Sequence, residues 1–327
     1  MAERLKDVEG MPRPALTTVS RFMQELEQSL VEPSTYNGEL YLELHRGTLT
    51  NQHVIKRNNR KAEFALRDLE YLTVRDALQK GKEASSGQID PLTSEMLINQ
   101  FHDILPGTCI PRAHDEAIEA VGHIIGESRK LSSALLADWV QEQSGASAVK
   151  SVTLVNTLSF PRSDVVYLPF EGYYVDGQYS QQVVKDRDGN SRLAVMGVTI
   201  PAFGSTVLTM TEKAPESTSV FSLSGEKGEI LDTPVVKVIF NEKGYMESFV
   251  DKRSGRELKG EGYALNTLLM AEEVSLGWEN WDVDADYECK LQDSAELLER
   301  SVAADGPVEF RIRSRYRLSA KSTLEQD

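Results

Sequence analysis

Apolar residues recur at helical spacing along the first half of the chain and alternate with polar ones along the second. From Thr17 to Leu30, Phe22, Leu26 and Leu30 fall on one face and predict a helix. The next stretch, GELYLELHRGT, alternates: Leu40, Leu42 and Leu44 point one way, and Glu39, Tyr41, Glu43 and His45 the other. That pattern predicts a strand ending at Gly47. From Gln52 to Gln79 the apolar set Ala62, Ala65, Leu66, Leu69 and Leu72 returns to helical spacing, and GKEASSGQ breaks the run. Asp90 as N-cap and Pro91 as first residue open a further helix, with Met96, Leu97, Phe101 and Ile104 as its stripe and Pro106-Gly107 as its stop. A third long helix is predicted from Asp115, its N-cap, to Glu142, burying Ile118, Val121, Ile125, Leu131, Leu135 and Trp139.

Beyond about residue 148 short alternating runs take over, punctuated by Asp188-Gly189-Asn190, Asn241 to Gly244 and Asp251 to Gly255 as turns. Regularly spaced short strands argue for a sandwich. The predicted fold class is therefore α+β: a three-helix bundle over 51–147, then an antiparallel β-sandwich region over 148–327. The strand pattern FRIRSRYRLSAKSTLEQD runs to the last residue, so the β region is expected to be cut at the C-terminus.

Charge narrows the partners. The formal net charge is -15, from 51 acidic against 36 basic side chains. This argues against nucleic acid, whose phosphates need a basic surface. No apolar run is long enough for a membrane span, and no charged-then-apolar start resembles a signal peptide, so neither membrane nor secretion is expected. The two cysteines, Cys109 and Cys289, are far apart and suit a reducing, cytoplasmic setting.

Four stretches carry candidate chemistry. His102-Asp103 offers an imidazole and a carboxylate, which a metal or a sugar can use; a cation in the last turn of a helix accounts for it equally. His114-Asp115 repeats the dipeptide, where capping explains Asp115. Glu43, His45 and Arg46 end the predicted strand, as catalytic groups in α/β enzymes often do, or form a solvated edge. LGWENWDVDADYE sets Trp278 and Trp281 among carboxylates, the combination that stacks on and hydrogen-bonds a sugar, or else a core tryptophan beside an acidic loop. Asp282, Asp284 and Asp286 lack the glycine and distal glutamate of a calcium loop, which excludes an EF-hand. Lys56, Arg57, Arg60 and Lys61 read as a solvated helix face.

GELYLELHRGTLTNQ, NQFHDILPGTCI and ENWDVD, in that order, resemble family 38 of the glycoside hydrolases, the α-mannosidases, and most closely their cytosolic-type and bacterial branch. The resemblance implies a metal, zinc or cobalt, held by a His-x-Asp pair, by a second Asp that is also the nucleophile, and by the His of a later His-Asp motif. His102 would be that last ligand, and Asp103 would contact the mannose. His45 and Arg46 would line the sugar pocket, and Trp281 and Asp282 would reach it from the β region. The substrate implied is a mannose-containing oligosaccharide or a small α-mannoside.

One departure follows. The five histidines are followed two positions on by Gly47, Ile55, Ile104, Glu116 and Ile125, so no His-x-Asp occurs. The nucleophile, the acid/base and that pair are expected in an N-terminal catalytic domain. Residues 1–50 then read as the end of that α/β domain, and the chain alone is expected to hold no metal and to be inactive. A homo-oligomer stays open, as does a carbohydrate-binding β module with a helical adaptor, or a purely structural interaction domain.

Overall fold

The computed structural model describes residues 2–40, 44–143, 150–216, 218–226 and 228–327. They fall into two compact units, Met1–Glu43 and Leu44–Asp327. The first unit holds α1 (Ala2–Leu5) and α2 (Val19–Ser29). The predicted helix is present, capped by Thr18, whose Oγ1 accepts from the amide of Arg21 at 3.3 Å. Its apolar residues Phe22, Leu26 and Leu30 are all exposed, so the face read as a packing face buries nothing.

The predicted strand before Gly47 is a correction. Tyr41, Leu42 and Glu43 lie outside the described residues, but Glu39, Leu40, Leu44 and His45 form no strand. Leu40 and Leu44 are exposed. His45 is left-handed at φ 63° and leads into a 3₁₀ turn, Arg46–Leu49. Alternation marks a face, but a strand also needs a neighbour for its backbone groups.

Three helices follow: α3 (His53–Gln79), α4 (Ile89–Asn99) and α5 (Pro111–Gln143). Ala62, Leu66 and Leu69 of α3, Leu92 of α4, and Val121 and Ile124 of α5 close into one core. Each buried leucine contributes roughly 1.5–3 kcal/mol. Asn59 donates to Glu63 Oε1 at 2.9 Å, and Gln100 donates to Asn59 Oδ1 at 3.0 Å, tying the end of α4 to α3.

Three helix ends depart from expectation. Asp90 is not the N-cap of α4: the helix opens at Ile89, and the Ser86 carbonyl already accepts the amides of Ile89 and Asp90. The same helix ends at Asn99 instead of Ile104, so His102 lies beyond it, in a run of turns. Asp115 does not cap α5, which begins four residues earlier at Pro111, where proline's missing N–H costs nothing.

Two three-stranded antiparallel sheets come next. One orders β1 (Ser151–Val155), β6 (Ser205–Thr211) and β3 (Tyr174–Val175); the other β2 (Val166–Pro169), β5 (Ser191–Met196) and β4 (Ser180–Lys185). Leu168, Leu193 and Val195 of the second meet Val175 and Leu208 of the first in one apolar core. The β4–β5 turn closes where predicted, with Asp186 donating its amide to the Asn190 carbonyl at 2.9 Å.

The remainder holds a five-stranded meander, β7 (Ser222–Ser224), β8 (Ile230–Asp232), β9 (Val236–Phe240), β10 (Met246–Asp251) and β11 (Arg256–Glu257). After a short helix, α6 (Tyr287–Lys290), come β12 (Glu296–Asp305), β13 (Phe310–Arg317) and β14 (Thr323–Gln326). Tyr245 and Tyr316 stack at 6.1 Å between ring centres in the core here, with Ala295 beside them. The Tyr245 hydroxyl donates to Asp293 at 3.0 Å, and burial pushes its pKa up to about 12.

Arg67 and Tyr71 help dock the helices on the first sheet pair. Arg67 donates to the Thr157 carbonyl at 2.8 Å, and Tyr71 donates to the Phe203 carbonyl at 3.0 Å while their rings stack. Cys109 and Cys289 are both free thiols. Among the described residues no helix is long and apolar enough to cross a membrane.

Candidate metal and sugar site

His102 and Asp103 sit in the turns between α4 and α5. The Phe101 carbonyl accepts from the amides of Ile104 and Leu105, and the Asp103 carbonyl accepts from Thr108 at 3.1 Å. These short-range bonds lift the dipeptide out of the helix. The His102 imidazole is 72% exposed; its Nε2 lies 3.6 Å from Asp103 Oδ2, and its ring lies against Phe101. Gly107 makes the turn tight. It has φ +82°, and a Cβ there would come within 2.7 Å of the Gln52 Cβ.

His45, Arg46, Trp281 and Asp282 do come together. The His45 and Trp281 rings lie 4.8 Å apart, tilted by 59°. Arg46 donates to the Val283 carbonyl at 3.3 Å, and the amide of Gly47 donates to the Trp281 carbonyl at 3.0 Å. The partner loop is tightly wound: Trp278 and Asn280 have φ near 60°, and the Trp278 carbonyl accepts from Trp281 and Asp282. Asp282 is half-buried, and its carboxylate has no hydrogen-bond partner among the described residues, so it is free to accept from a ligand. Trp278 is 79% exposed.

Among the described residues no hydrogen bond or ion pair joins His102 or Asp103 directly to that group. The link runs through Lys56, which its sequence context assigns to a solvated helix face, and through Asn51, which no motif singles out. Lys56 donates from Nζ to the Leu105 and Pro106 carbonyls at 3.1 and 3.0 Å, and to the carbonyl and Oδ1 of Asn51 at 2.7 and 3.1 Å. Asn51 in turn donates to the Asn280 carbonyl at 3.0 Å. The basic cluster on α3 is thus not uniformly a solvated face. Arg57 is exposed and Arg60 pairs with Glu63, but Lys56 is half-buried and its pKa is lowered by that burial. A lysine one turn into a helix gives no signal in one sequence that it points back at two loops.

His114 has one ring nitrogen 3.4 Å from Asp115 Oδ1, and the other is buried with no hydrogen-bond partner among the described residues. Among the described residues, no three of His, Cys, Asp and Glu gather in a group able to hold a metal. His102 and Asp103 have the donor chemistry of zinc ligands, and they fit as part of a set, not as a whole one. Large apolar side chains are exposed nearby in sequence: Leu97, Ile98, Phe101 and Ile110 around His102, and Leu44 and Leu49 around His45.

Helices followed by antiparallel sheets also describe proteins of known structure. The crystal structure of an α-mannosidase from Enterococcus faecalis V583 superposes with a TM-score of 0.65, covering 91% of this chain and 39% of that one at 14% identity, a likeness of fold. Residues 43–138 match the model of the α-mannosidase middle domain, and residues 231–327 that of the glycosyl hydrolases family 38 C-terminal domain. Alpha-mannosidase 2C1 of Homo sapiens is 30% identical over 289 residues, which are 86% of this chain and 26% of that protein. Alpha-mannosidase G of Dictyostelium discoideum is 25% identical, over 97% of this chain and 32% of its own length. The chain belongs to glycoside hydrolase family 38, the α-mannosidases. It spans about a quarter to a third of the length of these two relatives.

Proposed function

We propose that this chain contributes one metal ligand and part of the sugar pocket to a metal-dependent, retaining α-mannosidase of the cytoplasm that acts on terminal α-mannosides. His102 is the metal ligand, and Asp103 accepts from mannose hydroxyls beside it. His45, Arg46, Trp281 and Asp282 line the pocket. The observation that carries the reading is the hydrogen-bonded chain from the 101–107 turn through Lys56 and Asn51 to the Trp281 loop, because it holds all of these candidates in one region. The exposed apolar residues around His45 and His102 suit a face against which a further domain packs. Residues 1–50 are read as the end of that catalytic domain.

The roles follow from chemistry. A neutral imidazole donates one ring lone pair to a metal, so ligation weakens in acid. Zinc or cobalt, when bound, would grip sugar hydroxyls and favour the flattened ring of the transition state. The carboxylates that attack the anomeric carbon and protonate the leaving oxygen belong to the family's N-terminal domain. Trp281 offers an apolar ring for the sugar face, and Asp282 an acceptor at its edge.

Alone, the chain is expected to bind zinc weakly and to turn over no mannoside, since His102 and Asp103 supply at most two of the ligands zinc needs. Zinc titration and hydrolysis of a chromogenic α-mannoside test this. Tight zinc binding with turnover by the chain itself would refute it. The exposed Trp278 favours a second reading, a sugar-binding loop that needs no metal. Mannose binding unchanged by chelator and abolished in Trp278→Ala would establish that one instead.

A further inference from the structure

We propose that Lys56 is the positioning residue of the His102 site, holding the turn that carries His102 and Asp103 and the loop that carries Trp281 and Asp282 in one arrangement. The inference rests on the reading of His102 and Trp281 given above and deepens it.

Three observations lead here. First, the Lys56 ammonium has three protons and faces four oxygens at 2.7–3.1 Å, all neutral. Among the described residues it has no carboxylate partner, so it is not one half of a surface ion pair. Second, the acceptors come from two separate segments. Leu105 and Pro106 close the turn that begins at Phe101, and among the described residues no backbone amide donates to their carbonyls. Asn51 follows the 3₁₀ turn of Arg46–Leu49. Among the described residues, no other side chain hydrogen-bonds to both segments. Third, Asn51 extends the link. Its side-chain oxygen accepts from Lys56 while its side-chain nitrogen donates to Asn280, one residue before Trp281. The path Pro106–Lys56–Asn51–Asn280 is therefore continuous.

The packing around this path leaves little slack. Gly107 rests against Gln52, and Gly47 against the backbone of residues 280–282. The Gly47 amide bonds the 280–282 loop to the 3₁₀ turn, but at Gly107 only van der Waals contact holds the 101–107 turn, and it fixes no direction there. The ammonium supplies that direction. Without it, four oxygens must find water in a half-buried space, and the two loops lose their common anchor.

The test uses the whole chain labelled with 5-fluorotryptophan. Its three tryptophans give separate fluorine signals, assigned by single Trp→Phe changes. In Lys56→Met, which keeps the stem and removes the donors, the Trp278 and Trp281 signals should shift or split. That of Trp139, buried under Arg75 in the helical layer, should stay. Amide exchange at Gly107 and Thr108 should quicken about tenfold. Lys56→Arg, whose guanidinium can still donate, should recover much of the wild-type pattern. If Lys56→Met fails to fold, Asn51→Ala carries the same test, with the Trp281 signal expected to move. Unchanged Trp281 and Thr108 readings in a folded variant would overturn the proposal, as would equal effects of Met and Arg. Neither measurement uses metal or sugar, so a failure of the mannosidase reading and a failure of this one are told apart.

Discussion

Gly47 donates its amide to the Trp281 carbonyl at 3.0 Å, and a Cβ on Gly47 would meet three backbone groups of the 280–282 loop at 3.1–3.2 Å. The 3₁₀ turn and the loop dock backbone to backbone, and a Cβ between them would require the loop to give by a few tenths of an ångström. Gly47→Ala should push the loop away at a cost of roughly 1–3 kcal/mol, the usual range for overpacking. Thermal unfolding and tryptophan emission report it together. Wild-type stability and emission in the variant would mean that the loop is not docked this way.

The helical layer and the first sheet pair meet at Thr157. Its hydroxyl donates to Asp68 at 2.7 Å and accepts from Arg67 at 3.1 Å. Thr157→Val keeps the shape and leaves both charged partners short of a bond. Such bonds contribute about 1.5–3 kcal/mol when sheltered, and since both partners are partly solvated, a loss of about 1 kcal/mol is expected. The urea midpoint measures it, and no shift would remove Thr157 from the interface.

Glu257 gives the β10–β11 hairpin an acid response. Its carboxylate accepts from the Ser248 hydroxyl and from the amides of Lys259 and Phe249, which hold its pKa down at about 2 against an ordinary 4.5. A depressed pKa contributes stability that is complete above the unfolded value of 4.5 and is lost as pH falls through about 2. Glu257→Gln should therefore melt lower than wild type at neutral pH, and the gap should narrow as pH falls through that window. A gap independent of pH would show that the carboxylate charge plays no part.

The long helices were legible because their cores repeat locally. Ala62, Leu66 and Leu69 meet Val121 at the positions their spacing picks out. The turns Asn241 to Gly244 and Asp251 to Gly255 were legible for a similar reason: each is closed by its own side chains, Asn241 Oδ1 accepting from Lys243 and Asp251 Oδ1 from Arg253. Helix ends were read less well. Asp90 and Asp115 are good caps by type, but earlier residues, Ser86 with its carbonyl and Pro111 with its fixed φ, began those helices first. The false strand before Gly47 failed because pairing is non-local, and alternation carries no record of a partner.

The candidate site divides along the same line. His45, Arg46, Trp281 and Asp282 were picked out by residue type and by resemblance, and they are neighbours in the fold. The basic run around Lys56 reads as a solvated face, and nothing in the sequence marks Asn51. Their role depends on two loops being brought to the start of α3, and Asn51 reaches a partner 229 residues away.

The most direct test of the account is the zinc content and mannoside turnover of an enzyme that carries the family's N-terminal domain ahead of this chain, with and without His102→Ala. The account predicts stoichiometric zinc and turnover with His102, and loss of both in the variant while the far-UV spectrum stays unchanged. Full zinc occupancy with undiminished turnover in His102→Ala would contradict it.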